Sequence, residues 1–129
     1  MPQLWLSGRI PSKKNSKRIV LVNRKPRLLS SKDYLAWERD AIIEIRSNWN
    51  EKTILRCESI TYDFLFPDKR VRDLSNAVEG VNDALVLAGV LKDDRWQFTG
   101  NITLTGQLAN NKAEAGVLVT FKVAEYENS

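Results

Sequence analysis

The chain has 129 residues, 43% of them of hydrophobic type, including four Trp, three Tyr and four Phe. That length suits a single domain spanning 1–129 with one core, and the aromatic content excludes a disordered tail. One cysteine, Cys57, excludes an intrachain disulfide, and the absence of histidine excludes every mechanism built on imidazole.

The net charge of +4 conceals an uneven distribution. Residues 1–32 contain nine Lys or Arg and no acid, whereas the remainder carries eleven bases and sixteen acids. A basic arm on an acidic body implies a polyanionic partner or a solvated basic surface. No apolar run approaches the ~20 residues of a membrane span. MPQLWLSGRIPSKK lacks the pattern of a secretory signal. The expected setting is cytoplasmic, with no membrane partner.

In chain order, LWLSGRI (4–10) alternates as a first strand, and PSKKNSKR (11–18) reads as a loop rich in lysine. RIVLV (18–22) and PRLLS (26–30) flank NRK and fit a short hairpin or an ordered excursion. Ser30 and Ser31 are candidate caps for an amphipathic helix over 32–48, in which Leu35, Ile42, Ile45 and Trp49 follow helical spacing. SITYDFLF (59–66) alternates as a strand that Pro67 ends. Leu74, Val78, Val81, Leu85 and Ala88 form one stripe of a second helix, with Gly89 placed for a left-handed cap. FTGNITL (98–104) and VLVTFKVA (117–124) bracket a polar loop and predict a C-terminal antiparallel hairpin. The order predicts an α+β domain, a mixed sheet with two main helices packed on it.

The chemistry concentrates in RVRDLSNAVE, residues 70–79. Ser75 or Asn76 fits a helix cap, with Glu79 three residues beyond Asn76 as in a capping box. Capping does not account for Asp93 and Asp94 past the far end of that helix, nor for Lys69, Arg70 and Arg72 at its entry. Grouped carboxylates suit Mg²⁺, which takes oxygen ligands together with waters and substrate phosphates. Adjacent cations suit the flanking phosphates of a nucleic acid.

PDKRVRDLSNAVEGVNDALVLAGVLKDDRW resembles the RusA family of phage and prophage Holliday-junction resolvases, as do PSKKNSKR and SSKDYLAWERDAI. The resemblance covers most of residues 9–105. It implies a homodimeric, Mg²⁺-dependent endodeoxyribonuclease that cuts four-way DNA junctions in recombination and repair. Asp73 matches the family's first catalytic aspartate and Asp94 the last, while Asn76 matches the motif's asparagine.

Ser75 stands where a second catalytic aspartate is expected, and Glu79 where a lysine is. Glu79, one helical turn beyond Ser75, is the candidate replacement carboxylate. The expected catalytic and metal set is therefore Asp73, Asp94 and Glu79. Lys13, Lys14, Lys17, Lys69, Arg70 and Arg72 are the expected DNA contacts. The alternative is a junction-binding protein of the same fold that does not cut, because Ser75 leaves the metal short of a ligand.

Overall fold

A computed structural model describes residues 1–12 and 17–128. The elements are β1 (Gln3–Ser7), β2 (Lys17–Val22), β3 (Lys25–Ser30), α1 (Lys32–Asn48), β4 (Ile54–Phe66), α2 (Leu74–Leu87), a short α3 (Trp96–Thr99), β5 (Asn101–Leu108) and β6 (Gly116–Tyr126). The fold is α+β, with a mixed four-stranded sheet in the order β1-β6-β4-β5 and a separate two-stranded sheet of β2 and β3.

The alternation in β4 sets the layers. Ile60, Tyr62 and Phe64 point to one face and are fully buried, level with Val117, Val119 and Phe121 of β6 and Leu4 and Leu6 of β1. Ala41 and Ile45 of α1 and Val78, Val81 and Leu85 of α2 complete this core, so the helices cover that face alone. The opposite face, with Trp5, Thr61, Asp63, Leu118 and Thr120, is half-buried.

Both long helices follow their sequence signals. Ser31 caps α1 by accepting from the Tyr34 N–H at 3.1 Å. Gly89 has φ 84, the left-handed conformation expected just past α2. The helices meet where α2 carries Gly80, and a methyl group there would stand 2.8 Å from the Tyr34 hydroxyl. Glycine thus sets the distance between them.

The predicted C-terminal hairpin is not formed. β4 lies between β5 and β6, pairing parallel with the first and antiparallel with the second. β5 and β6 do run in opposite directions, but the segment joining them carries the chain past β4. A polar stretch between two strands marks a turn without revealing whether a third strand occupies the gap. FTG, expected in the strand, belongs instead to α3 and its end.

The β2–β3 hairpin forms, in continuous register from Lys17↔Ser30 to Val22↔Lys25. Its two-residue turn has positive φ at both Asn23 (54°) and Arg24 (64°). That is the conformation of a tight hairpin turn, usually Asn-Gly; arginine at the second position costs about 1 kcal/mol.

Candidate functional site

β4, α2 and β5 make a parallel crossover unit, and ligands of such units bind beyond the carboxyl ends of the strands. Here that end holds a cleft of about 1180 Å³. Arg9 and Ser12 reach it from the N-terminal segment, Asp33, Tyr34 and Trp37 from α1, and Arg70, Arg72, Asp73 and Asn76 from the entry to α2.

The loop between β4 and α2 is braced by contacts the sequence does not advertise. Tyr62, Phe64 and Phe66 form a stacked row, and the Arg72 guanidinium lies 4.8 Å from the Phe66 ring centroid. Arg72 also pairs with Asp68 at 2.8 Å and donates to the carbonyls of Asp68 and Arg70. The Asp68 carboxyl is held below its ordinary pKa by the Arg70 backbone N–H and then by Arg72. Arg72 thus holds the loop that delivers Asp73 while also lining the cleft. Arg70 and Lys69 are exposed. Lys69 borders a second crevice of about 300 Å³ beside Gly106 and Gln107.

Asp73 is the N-cap of α2; Ser75 and Asn76, the expected caps, lie within the first turn. One Asp73 carboxylate oxygen accepts from the Ser75 N–H at 3.0 Å and the Ser75 hydroxyl at 2.7 Å. The Asn76 N–H bonds back to the Asp73 carbonyl at 3.1 Å. Ser75 therefore orients the carboxylate beside it.

The expected three-carboxylate set does not converge. Among the described residues, no three His, Cys, Asp or Glu side chains form a group able to hold a metal ion. The crossover explains the separation. Asp73 follows the end of β4, whereas Asp94 lies on the returning segment between Leu91, bridged to Ile54, and Asn101, paired with Ser59. That segment runs alongside the first half of β4.

The Asp94 charge reaches Tyr62, whose phenol is raised chiefly by burial and which donates its hydroxyl proton to Asn82 Oδ1. The Glu79 charge reaches Tyr34 instead. Asp93 is taken up by Arg95, which binds it through its backbone N–H at 2.8 Å and its guanidinium at 2.9 Å. The Arg95 side chain, then its backbone, hold that carboxyl below its ordinary pKa. Asp94 is exposed, and its charge also acts on Arg95.

Sequence reasoning missed Arg9, Asp33 and Tyr34 as cleft residues. Asp33 stands in the first turn of α1, and no local pattern connects it to Asp73, forty positions away. Tyr34 is buried, and its hydroxyl has no hydrogen-bond partner among the described residues. Its pKa is raised by burial first, then by the charges of Glu38, Asp83 and Glu79. Lys13 and Lys14 lie outside the described residues. Lys17 begins β2.

The donor chemistry of the cleft fits a hard divalent cation in the manner of Mg²⁺, which is commonly bound by one or two carboxylates with waters and phosphate oxygens. Asp73 and Asp33 are the two carboxylates among the residues that line it. Arg9, Arg70 and the positive end of α2 suit an anion in the same space. No protein-family model matches this chain, and no curated protein matches it significantly, so the RusA resemblance rests on the quoted residues.

Proposed function

We propose that this chain is a Mg²⁺-dependent endonuclease for branched DNA, of the kind the RusA resemblance implies, working as a homodimer with its catalytic centre at the α2 entry. The observation that carries the reading is one cleft in which Asp73 and Asp33 stand among Arg9 and Arg70. Phosphodiester hydrolysis needs negative groups to hold a metal and positive groups to hold the phosphate, and this cleft lines both types along one wall system.

In this reading Asp73 is the principal metal ligand and Asp33 assists it, with Ser75 fixing the Asp73 carboxylate through its hydroxyl. Bound Mg²⁺ would supply electrostatic stabilisation of the scissile phosphate. Arg9 and Arg70 position the phosphodiester, and Lys69 extends the grip along the strand. Glu79, whose charge reaches the cleft residue Tyr34, and Asp94, on the segment before α3, are the further carboxylates the resemblance names, and neither is among the residues that line the cleft.

A second reading, a junction-binding protein that does not cut, is favoured by one observation: no three carboxylates converge among the described residues. Incubating the protein with a synthetic four-way junction and a linear duplex, in Mg²⁺ and in EDTA, separates the two. Metal-dependent junction cutting that is lost in Asp73→Asn supports the nuclease. Tight binding without cutting supports the second reading, and cutting that survives Asp73→Asn or EDTA refutes the site assignment.

A further inference from the structure

The β2–β3 hairpin stands apart from the sheet and the core. None of its described residues is buried, although it carries six aliphatic side chains, Ile19, Val20, Leu21, Val22, Leu28 and Leu29. Cross-strand partners share a face, so the register Ile19↔Leu28 and Leu21↔Pro26 gathers these four residues on one side. Ile19, Leu21 and Leu28 are 74%, 75% and 66% exposed. The other side is less open: Val22 and Leu29 are 44% and 43% exposed, and Arg18 Nε is buried. The hairpin thus presents an outward aliphatic face.

Its charge identifies the occupant. Residues 17–30 contain Lys17, Arg18, Arg24, Lys25 and Arg27 and no acid. By the same register Arg18, Lys25 and Arg27 lie on the opposite face and Arg24 at the tip, so two copies brought hairpin to hairpin would set two acid-free, fivefold cationic segments together, which opposes self-association. The tip points the same way, because Arg24 occupies a left-handed position (φ 64) that glycine fills without strain. Strain of that kind is retained where the side chain has a task. An aliphatic face with cations at the tip and behind it suits a polyanion that also offers apolar surfaces. Nucleic acid with unstacked bases offers both, and aliphatic side chains are established wedges between base steps.

The geometry points to the β2–β3 hairpin as a finger that rests Ile19, Leu21 and Leu28 on unpaired or unstacked bases at a branch point, with Arg24 and Lys25 on the flanking phosphates. This inference rests on the reading of DNA as the partner, and it makes the hairpin, rather than the cleft, the element that distinguishes branched DNA from plain duplex.

The test uses the full chain, a four-way junction carrying 2-aminopurine at the branch point, a linear duplex of the same sequence, and phosphatidylserine-containing vesicles. Wild-type protein is expected to raise the 2-aminopurine fluorescence and to prefer the junction. Combined Ile19→Ser, Leu21→Ser and Leu28→Ser substitutions, all at exposed positions, are expected to abolish that rise and weaken junction binding about tenfold or more, while duplex binding changes less than about twofold.

Asp73→Asn is expected to keep the fluorescence rise while losing cutting, so the hairpin and the cleft fail separately. Arg24→Gly keeps the turn and is expected to reduce the salt dependence of binding by about one phosphate contact. An unchanged fluorescence rise in the triple variant overturns the inference, as does an unchanged salt slope in Arg24→Gly for the tip. Loss of self-association in the triple variant would reassign the face to a contact between copies, and vesicle binding in place of DNA would reassign it to an anionic lipid surface. A wild-type protein that binds neither DNA overturns the DNA reading itself.

Discussion

Asp73 holds two positions at once, cap of α2 and carboxylate of the cleft, and a pair of substitutions separates them. Asp73→Ala removes the acceptor for the Ser75 N–H and hydroxyl, bonds of 3.0 and 2.7 Å. Loss of an N-cap costs about 1 kcal/mol, which for a domain of this size lowers Tm by roughly 4 °C. Asp73→Asn keeps a good cap and loses only the charge at the helix end, about 0.5 kcal/mol or roughly 2 °C. For catalysis both should fail, each losing about a hundredfold or more in junction cutting, because an amide offers Mg²⁺ only a neutral, weaker oxygen donor and a methyl group offers none. Thermal melts followed by far-ultraviolet circular dichroism, run beside cleavage gels in Mg²⁺, read both quantities. A wild-type Tm in Asp73→Ala would refute the capping geometry. Wild-type cutting in Asp73→Asn would refute the placement of the reaction, whatever the melts show.

Other outcomes follow from the helix contact and the core. Tyr34→Phe deletes a buried hydroxyl with no hydrogen-bond partner among the described residues and should leave stability unchanged or raise it by about 1 kcal/mol in urea titrations. Gly80→Ala should destabilise by about 1 kcal/mol through its 2.8 Å approach to that hydroxyl, and a double-mutant cycle should show the cost shrinking when Tyr34 is already Phe. Gly100, at φ 67, lies where an added Cβ would collide with the Glu58 carbonyl; Gly100→Ala should cost about 3 kcal/mol or more, seen as a collapse of the urea midpoint. Burial pushes the Cys57 thiol from 9.0 up to about 11. Since the unfolded chain ionises first, this stabilisation is complete below about pH 9 and lost as pH rises through about 11. The urea midpoint should fall across that window, and less steeply in Cys57→Ala. A disulfide-exchange reagent at about pH 8 should leave the native thiol unreacted.

Periodicity carried the local elements and failed at neighbour relations. α1 was legible from its cap to its last turn because Ser31, the Ile42 and Ile45 stripe and the charges between them all obey one helical period. β4 was legible as a strand at 59–66, yet it starts at Ile54: its first part is irregular in register against β6, and bulges erase the period of two. Insertion of β4 between β5 and β6 left no local trace, since each strand alternates equally well beside either partner. The cap of α2 fell on Asp73 rather than Ser75 or Asn76 because all three residue types cap well, and only the Arg72–Phe66 and Arg72–Asp68 contacts fix where the loop ends. At the site, Asp73 was legible because it begins a helix after a basic run. Asp33 enters the cleft only through the packing of α1 on α2, which the small contact at Gly80 permits, and Arg9 enters it from the segment that follows β1.

The position of β6 also bears on the order in which the protein is made. Among the described residues, β1 has no sheet partner except β6, and β4 meets β6 along ten paired positions. Roughly sixty residues separate the end of β4 from the end of β6, several seconds of synthesis at about 5–20 residues per second. Throughout that interval the emerging β4 carries its row of Ile60, Tyr62 and Phe64 with one flank unpaired. A nascent chain released or stalled before residue 116 would keep that edge open and is a natural client for a chaperone that binds extended apolar segments.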